Sequence, residues 1–472
     1  MKKIKVAIIG AGSAGLSARR EVAKVTDDYL VFDGGILGTT CARVGCMPSK
    51  VLIQAGEDFY KRTKFKEQGI HGSEELSVNI PEVLTHVRSL RDRFVRAVMG
   101  GMSSWDDKKL VREYVEFTST HTLKTASGDE YQFDKVIIGA GTTPYAPPVL
   151  KGFEDYLYTT DTIFEQLDLP KNIAVLGMGV IGLEIGQALH RLGLNIRGIA
   201  RRRSISGIEN EEINEYACKY FENVMDINFS GLEKVNELDG QLELIMGDGS
   251  KTIVDKILLA NGRKLNLDKL NMNSFIGIKD KKGVPVINKE TFQIIEHPHM
   301  FIAGDLTGEK QLLHEASDEG KIAGHNAVRD KADRFQTRTP LGVTFSDPNI
   351  AFCGQHINEL RAKKIDFATG KVTFEGQGRS IIKLKEVGLL HIYGEKKSGK
   401  ILGAELFGPD AEHLAHLISW CIQEEMTVNK MLSMPFYHPV VEEGLRTALR
   451  DLRSQVDEPA NILELNIKHD RI

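Results

Sequence analysis

Cysteine is scarce in this chain: five among 472 residues, an odd number and mostly scattered. That is no framework for a small disulfide-stapled module. Charge of one sign is not in surplus either, with 61 Lys and Arg against 65 Asp and Glu and a net charge of −4. Neither nucleic acid nor an anionic membrane is therefore an expected partner on electrostatic grounds. A long hydrophobic run is lacking. The most apolar stretch, IAVLGMGVIGLEIGQAL (173–189), is interrupted by Glu184 and by glycines, and reads as strand, turn and helix rather than a membrane span. Low-complexity tracts are missing, which excludes a disordered or fibrous chain. In the opening MKKIKVAIIGAG the apolar run VAII is too short for the core of a signal peptide, so the expected location is the cytoplasm.

What is there begins with length: 472 residues exceed one ordinary core, and two to four domains are expected. The 45 glycines concentrate in short turns between apolar runs and helical patterns. The phrase VAIIGAGSAGLSA (6–18) recurs as IAVLGMGVIGLEIG (173–186), each an apolar run, then G-x-G-x-x-G, then a helical pattern. A second apolar run follows each: YLVFD, ending at Asp33, and NIRGIA, ending at Ala200. One such motif is a weak signal; two in the same strand–turn–helix context point to two nucleotide-binding units of the doubly wound type. Gly10 and Gly177 allow the tight turn, Gly12 and Gly179 let a pyrophosphate approach the backbone, and Gly15 and Gly182 allow close helix–strand packing. Each helix start then offers free N–H groups and a positive dipole end to the phosphates.

KVIIGAGTTP (135–144), KILLANGRK (256–264) and MFIAGDLTG (300–308) read as buried strands ending in glycine turns or on Asp305, and LLHEASDEGKIAGHNAV (312–328) as a helix. After about residue 338 the character changes. GVTFSDPNIAFCG, RSIIKLK, GLLHIYG and ILGAELFG predict antiparallel strands, with helices over about 410–430 and 440–454, a third region of α+β type.

The segment TTCARVGCMPSK (39–50) sets Cys41 and Cys46 five positions apart. No C-x-x-C partner or histidine cluster accompanies them, which speaks against zinc. Buried inert thiols remain an open alternative. Gly38, Thr40, Gly45 and Pro48 suggest a loop entering a helix, whose N-terminus depresses a thiol pKa. In a regular helix, residues i and i+5 lie roughly 8–9 Å apart at Cα, whereas a disulfide needs about 4.4–6.8 Å. If the two pair, the segment between them is not regular helix; Gly45 and Pro48 allow such a distortion.

Together, the paired nucleotide motifs, GTTCARVGCMPSK, GVIGLEIG, IAGD, FSDPNIAFCG and HPVVEE, in that order, resemble the FAD-dependent pyridine nucleotide–disulfide oxidoreductases along essentially the whole chain. The resemblance implies an α/β fold: two doubly wound Rossmann-like nucleotide-binding domains plus a C-terminal α+β dimerisation domain. It divides the chain into an FAD-binding domain (1–147), an NAD(P)-binding domain (148–272), a central domain completing the FAD site (273–338) and a dimerisation domain (339–472). FAD would lie on Gly10, Gly12 and Gly15 with Asp33 on the ribose. Thr40, Lys50, Gly141 and Asp305 would line the flavin and its ribityl chain. NAD(P) would lie on Gly177, Gly179 and Gly182, with Gly262 at the turn closing that domain. Lys50 and Glu184 would pair near flavin N5. Cys41 and Cys46 would form the redox disulfide, Cys46 next to the flavin and Cys41 facing substrate. In FYHPVVEEGL (436–445), His438 would be the general acid/base, Glu443 its orienting carboxylate, and the imidazole would face Cys41 of the other subunit of a homodimer. Read alone, His438 would merely precede a helix starting at Pro439.

CMPSK resembles the phrase of dihydrolipoamide dehydrogenase, the expected activity, with a small dithiol or a separate lipoyl-bearing protein as partner. An NADPH-dependent reductase of low-molecular-weight disulfides is the alternative, and a flavoprotein without disulfide turnover, in a binding or regulatory role, a further one. Cys421 is the last cysteine, which argues against mercuric reductase, and the presence of both motif cysteines argues against a soluble transhydrogenase. Thr39 replaces the second glycine of the family phrase, Val440 and Glu442 replace the usual Thr and Ser, and Arg43 replaces an asparagine, placing a cation near the thiols that could lower their pKa. At the end of the second strand, Ala200 stands where NAD sites carry an acid, and Arg201, Arg202 and Arg203 follow. Such arginines suit a 2′-phosphate, so Arg201 and Arg202 favour NADP(H), while Gly182 pulls toward NAD(H).

Overall fold

The structure, a computed structural model, describes residues 1–459 and 463–465. The last residues of the expected 339–472 region, 466–472, lie outside the described residues.

The first glycine phrase forms β1 (Lys2–Ile9) and α1 (Ser13–Val22), and YLVFD forms β2 (Tyr29–Phe32). The cysteine segment forms a short α2 (Thr40–Val44) and a long α3 (Cys46–Phe65), followed by α4 (Ile80–Gly100) and the one-turn α5 (Asp106–Lys109). Strands β3 (Leu110–Val111), β4 (Val115–Ser119), β5 (Thr122–Thr125) and β6 (Glu130–Ile138) complete the edges of the sheet. Its order is β3-β2-β1-β6-β5-β4, with β1 parallel to both β2 and β6. The continuous apolar ends of β1 and β6 are buried on both faces, as parallel strands require. A short β7 (Thr142–Pro144) leads away from it.

The second unit repeats the scheme. After β8 (Leu157–Tyr158) and α6 (Thr160–Ile163), β9 (Asn172–Leu176), α7 (Val180–Arg191) and β10 (Asn195–Ile199) form the second βαβ. Helix α8 (Glu211–Val224) leads to β11 (Asp226–Asn228). A three-stranded antiparallel sheet, β12 (Leu232–Leu238), β13 (Gln241–Met246) and β14 (Lys251–Val254), precedes β15 (Lys256–Leu259). The parallel order is β11-β10-β9-β15-β8. Strand β16 (Arg263–Leu265) pairs antiparallel with β7, and β17 (Met300–Ile302) returns to the first sheet beside β6.

Helix α9 (Leu313–Ala327) crosses α1 at very short range. A Cβ on Gly320 would lie 2.2 Å from the Ala14 carbonyl oxygen, and one on Gly324 2.4 Å from that of Ala18. This crossing brings Gly304, Asp305 and Glu319 to the start of α1. In the same way Gly56 of α3 lies against Ala188 of α7, and that contact sets Lys50 opposite Glu184.

The third region is a five-stranded antiparallel sheet, β18 (Leu341–Thr344), β19 (Asn349–Gly354), β20 (Phe367–Thr373), β21 (Leu389–Glu395) and β22 (Ile401–Gly408), in the order β18-β19-β22-β21-β20. Helices α10 (Ile357–Ala362), α11 (Gly378–Ile382), α12 (Ala411–Gln423), α13 (Val428–Leu432) and α14 (Glu442–Arg453) accompany it. RSIIKLK is therefore mostly helix α11 and not a strand. The Gln377 side chain accepts from the N–H and the hydroxyl of Ser380, closing the first turn, and Ile381 and Ile382 are left exposed. The strand missed nearby is β20. Helix α14 starts at Glu442 and not at Pro439. Among the described residues no helix is long and apolar enough to cross a membrane.

Candidate functional site

The glycine loops behave as their spacing predicts. Gly10 (φ 99°) and Gly177 (φ 104°) take left-handed turns. A Cβ there would lie 2.4 Å from the Gly139 carbonyl oxygen and 2.5 Å from that of Ala260, respectively. A Cβ on Gly15 would strike the Gly10 carbonyl oxygen at 1.8 Å, and one on Gly182 that of Gly177 at 1.8 Å. Gly12 and Gly179 face open space, each as the N-cap of its helix with no side-chain cap, so the helix N–H groups stay available to a ligand.

A cavity of about 960 Å³ runs from Gly12, Thr40 and Gly141 past Cys41, Cys46, Lys50 and Glu184 to Asp305. Asp33 directly follows β2 and is not part of this lining; it accepts from the Ala11 N–H at 2.7 Å and the Gly35 N–H at 2.8 Å, which holds it against the first glycine loop. Asp305 accepts from the Thr142 hydroxyl at 3.2 Å; burial pushes its carboxyl up, while Thr142 and Arg263 oppose the shift. Gly304 donates to Glu319 at 2.7 Å, and burial pushes the Glu319 carboxyl up to about 8. Gly262 and Arg263 line a smaller neighbouring cavity of about 140 Å³ with Val180 and Ile181.

The cysteines sit at a break in helical structure. Residue Gly45 (φ −119°, ψ −116°) separates α2 from α3, and its missing Cβ admits the Thr40 carbonyl oxygen at 3.1 Å and the Cys41 Cα at 3.2 Å. The five-residue spacing is thus not bridged by regular helix. Both residues are free, half-buried thiols. The neighbouring thiol is the main cause pushing Cys46 down to about 7, helped by Lys50 against the opposing effect of burial; the neighbouring thiol and burial push Cys41 up. The cation acting on the pair is Lys50 and not Arg43. Arg43 instead leaves a buried Nε without a hydrogen-bond partner among the described residues.

Lys50 Nζ lies 2.7 Å from Glu184 Oε2 and 4.6 Å from the centre of the Phe345 ring. Glu184 is 4% exposed, and its other oxygen accepts from the Phe345 N–H at 2.8 Å. Phe345, Thr142, Arg263 and Glu319 are contacts that reading the sequence missed. All four stand in phrases read above, KVIIGAGTTP, KILLANGRK, LLHEASDEGKIAGHNAV and GVTFSDPNIAFCG, but nothing in their spacing marks which residue each one touches.

Two expected groups lie elsewhere. His438 is 81% exposed and outside the cavity lining. Its Nδ1 lies 3.0 Å and 3.1 Å from the two Glu443 oxygens, and this bond, with one from the Val440 N–H, holds the Glu443 carboxyl below its usual range. Arg201 and Arg202 are exposed on the turn after β10, the stem of Arg201 lying over Gly231, beyond the buried Ala200. Among the described residues, no cluster of His, Cys, Asp or Glu fits a metal ion.

The open glycine cradle, the uncapped helix start and the half-buried Asp305 in one cavity with the thiols fit a dinucleotide cofactor. The chain matches the family model for pyridine nucleotide-disulphide oxidoreductases over residues 4–320, and the model for their dimerisation domain over 341–449. It is 27% identical over 461 residues to a soluble pyridine nucleotide transhydrogenase of Vibrio atlanticus, covering 94% of this chain and 96% of the relative. It is 27% identical over 445 residues to dihydrolipoyl dehydrogenase of Geobacillus stearothermophilus, covering 92% and 93%. It is 26% identical over 466 residues to mercuric reductase of Shewanella putrefaciens, covering 96% and 82%. The fold is also that of the HOCl-induced flavoprotein disulfide reductase RclA from Escherichia coli in its Cu(II) complex, with TM-score 0.81 and 18% identity over 97% of this chain and 100% of that one. Identities this alike do not choose among activities, but the two family models together span nearly the whole fold: the chain belongs to the pyridine nucleotide-disulphide oxidoreductases, the family that works with FAD and NAD(P)H.

Proposed function

We propose that this chain passes electrons between NAD(P)H and a dithiol or disulfide substrate through FAD and the Cys41–Cys46 pair, in the manner of dihydrolipoamide dehydrogenase. The observation that carries the reading is the thiol pair itself. Cys46, pushed down to about 7, shares one cavity with the Lys50–Glu184 pair, the Gly12 cradle and Asp305. FAD bound there supplies two-electron transfer between the nicotinamide and the thiols.

The chain's own residues divide the remaining work. Lys50, held by Glu184 and the Phe345 ring, stabilises the Cys46 thiolate beside the flavin position. Cys41 is the interchange thiol. Its sulfur attacks a substrate disulfide, forming a mixed disulfide and releasing one substrate thiolate. Cys46 then attacks the Cys41 sulfur, releasing the second substrate thiol and closing the Cys41–Cys46 bond. In a homodimer built on the dimerisation domain, His438 of the partner subunit, oriented by its carboxylate, gives protons to the departing sulfurs. In reverse, the same groups oxidise a dithiol.

The coenzyme turn supports NADP(H). No acid stands at Ala200 to accept a ribose 2′-OH, and Arg201 and Arg202 have no ion-pair partner among the described residues. That turn also favours the second reading, an NADPH-dependent reductase of a low-molecular-weight disulfide. A steady-state panel crossing NADH and NADPH with lipoamide, dihydrolipoamide and glutathione disulfide separates the two. Cys41→Ser is expected to lose disulfide turnover while keeping reduction of an artificial acceptor. If wild type turns over no dithiol or disulfide but transfers hydride between NADPH and NAD, and Cys41→Ser does so equally well, the proposal is wrong.

A further inference from the structure

Arg203 is set apart from the two arginines before it. Its guanidinium donates four hydrogen bonds to two carboxylates of α8: to Glu215 at 2.9 and 3.3 Å, and to Glu222 at 2.5 and 2.8 Å. Glu215 and Glu222 are seven residues apart, which puts them on one face of the helix. The guanidinium carbon also lies 5.3 Å from the centre of the Phe229 ring. This charge is spent on its own carboxylates and is not free for a phosphate.

The same turn is fastened at three further points. The Asn214 side chain donates to the Arg203 carbonyl at 3.0 Å and accepts from the Ile205 N–H at 3.1 Å. The Ser204 N–H donates to the Arg202 carbonyl at 2.8 Å. The Ser206 N–H donates to the carbonyl of Met178, the middle residue of the second glycine loop, at 2.8 Å. A turn carrying two exposed arginines is thus bolted to α8 on one side and to the loop that would hold the coenzyme on the other. The Arg203 ion pairs are themselves exposed by about a third or more, so they add little to global stability. What they do fix is where the backbone of Arg201 and Arg202 points. A bidentate guanidinium fork does this and a lysine would not.

We infer that Arg203 is a positioning residue for coenzyme choice: its clamp on Glu215 and Glu222 holds Arg201 and Arg202 where they meet the 2′-phosphate of NADP(H). This rests on the NADP(H) reading above. Binding of 2′,5′-ADP and 5′-AMP to the FAD-loaded protein tests it at constant ionic strength, since the two probes differ only in the 2′-phosphate. Wild type is expected to bind 2′,5′-ADP at least tenfold more tightly. Arg203→Lys and the double variant Glu215→Gln/Glu222→Gln are expected to bring the ratio below threefold, with 5′-AMP affinity changed less than twofold.

The double variant is decisive because it removes two negative charges near the site. If charge alone governs, 2′,5′-ADP binds it more tightly; if the clamp positions the arginines, the preference collapses. An unchanged or enlarged preference in the double variant overturns the inference, as does an equal loss for both probes. A wild type with no preference for 2′,5′-ADP overturns the NADP(H) reading together with the inference.

Discussion

Thr39 adopts φ 64° and ψ 148°, a conformation that a residue with a Cβ rarely takes and a β-branched one least of all. The family phrase has glycine there, so Thr39→Gly is the informative perturbation. Removing the Cβ relieves about 1–3 kcal/mol of backbone strain. Against this, the Thr39 hydroxyl caps α2, accepting from the Ala42 N–H at 3.2 Å. Exchanging such a cap for glycine costs only a few tenths of a kcal/mol, and the freer unfolded chain costs about 0.5–1 kcal/mol more. The net expectation is a gain of about 1 kcal/mol. Thr39→Ala keeps a Cβ, and with it most of the strain, yet loses the cap, for a loss of about 1 kcal/mol. The two variants should therefore differ by about 2 kcal/mol, or roughly 4–8 °C in Tm for a unit of 150–250 residues. The assay is thermal unfolding of the FAD-loaded protein in one buffer, followed by flavin release and circular dichroism. Only the order matters: glycine above threonine, threonine above alanine. An alanine variant melting at or above the glycine variant refutes the strain argument and leaves the hydroxyl as an ordinary cap.

Two titrations give the remaining predictions. Alkylation of Cys46 in the dithiol-reduced protein, located by peptide mass mapping, should reach half its limiting rate near pH 7. Cys41→Ala should move that midpoint up further than Lys50→Met does, because the neighbouring thiol is the larger cause; a midpoint near 9 in wild type contradicts the geometry. Glu319 is pushed up to about 8 by burial, well above an unfolded glutamate near 4.3. Between those values the folded state binds the extra proton, so stability falls as pH rises, by at most about 1.4 kcal/mol per unit, and levels off above about 8. Glu319→Gln should flatten the decline in Tm between pH 5.5 and 8.5; an unchanged slope shows that another group causes it.

Much of this was legible in the sequence because certain residue types have few other uses. The two glycine phrases specify both the turn and the close helix contact, and the backbone distances at Gly15 and Gly182 show that no side chain fits. The break at Gly45 followed from a geometric conflict between a five-residue spacing and a regular helix. RSIIKLK misled because a short apolar run looks alike in a strand and in a helix, and the deciding cap came from Gln377, just outside it. Arg43 misled because sequence neighbours need not be spatial ones: the nearest effective cation, Lys50, comes four residues after Cys46, on the same helix. Phe345 was illegible because its backbone N–H and ring face meet Glu184 and Lys50 only through packing between distant elements, and Glu319 because it accepts from the backbone N–H of Gly304, a contact no side-chain pattern marks.

The position of the histidine gives the strongest reason to regard one chain as half of a catalytic unit. An imidazole 81% exposed, with a carboxylate at 3.0 Å behind it, is held in one orientation, yet among the described residues it lies outside the lining of the cavity that holds the thiols. The thiols, meanwhile, lie in a cavity whose lining contains no side chain poised to protonate a leaving sulfur better than water could, apart from His314 and His416, which are exposed at its rim. Tyr437 beside the histidine is 81% exposed and Trp420, in the cavity wall, 66%: large aromatic surfaces that a solvated monomer gains nothing by displaying. All four facts have one economical explanation. On the function proposed above, pairing of two chains through the dimerisation domain would bring each His438 to the other chain's Cys41 and would cover the aromatic faces, each of them twice. On that geometry a dimer-breaking change at Tyr437 would abolish disulfide turnover while leaving flavin reduction by the coenzyme intact.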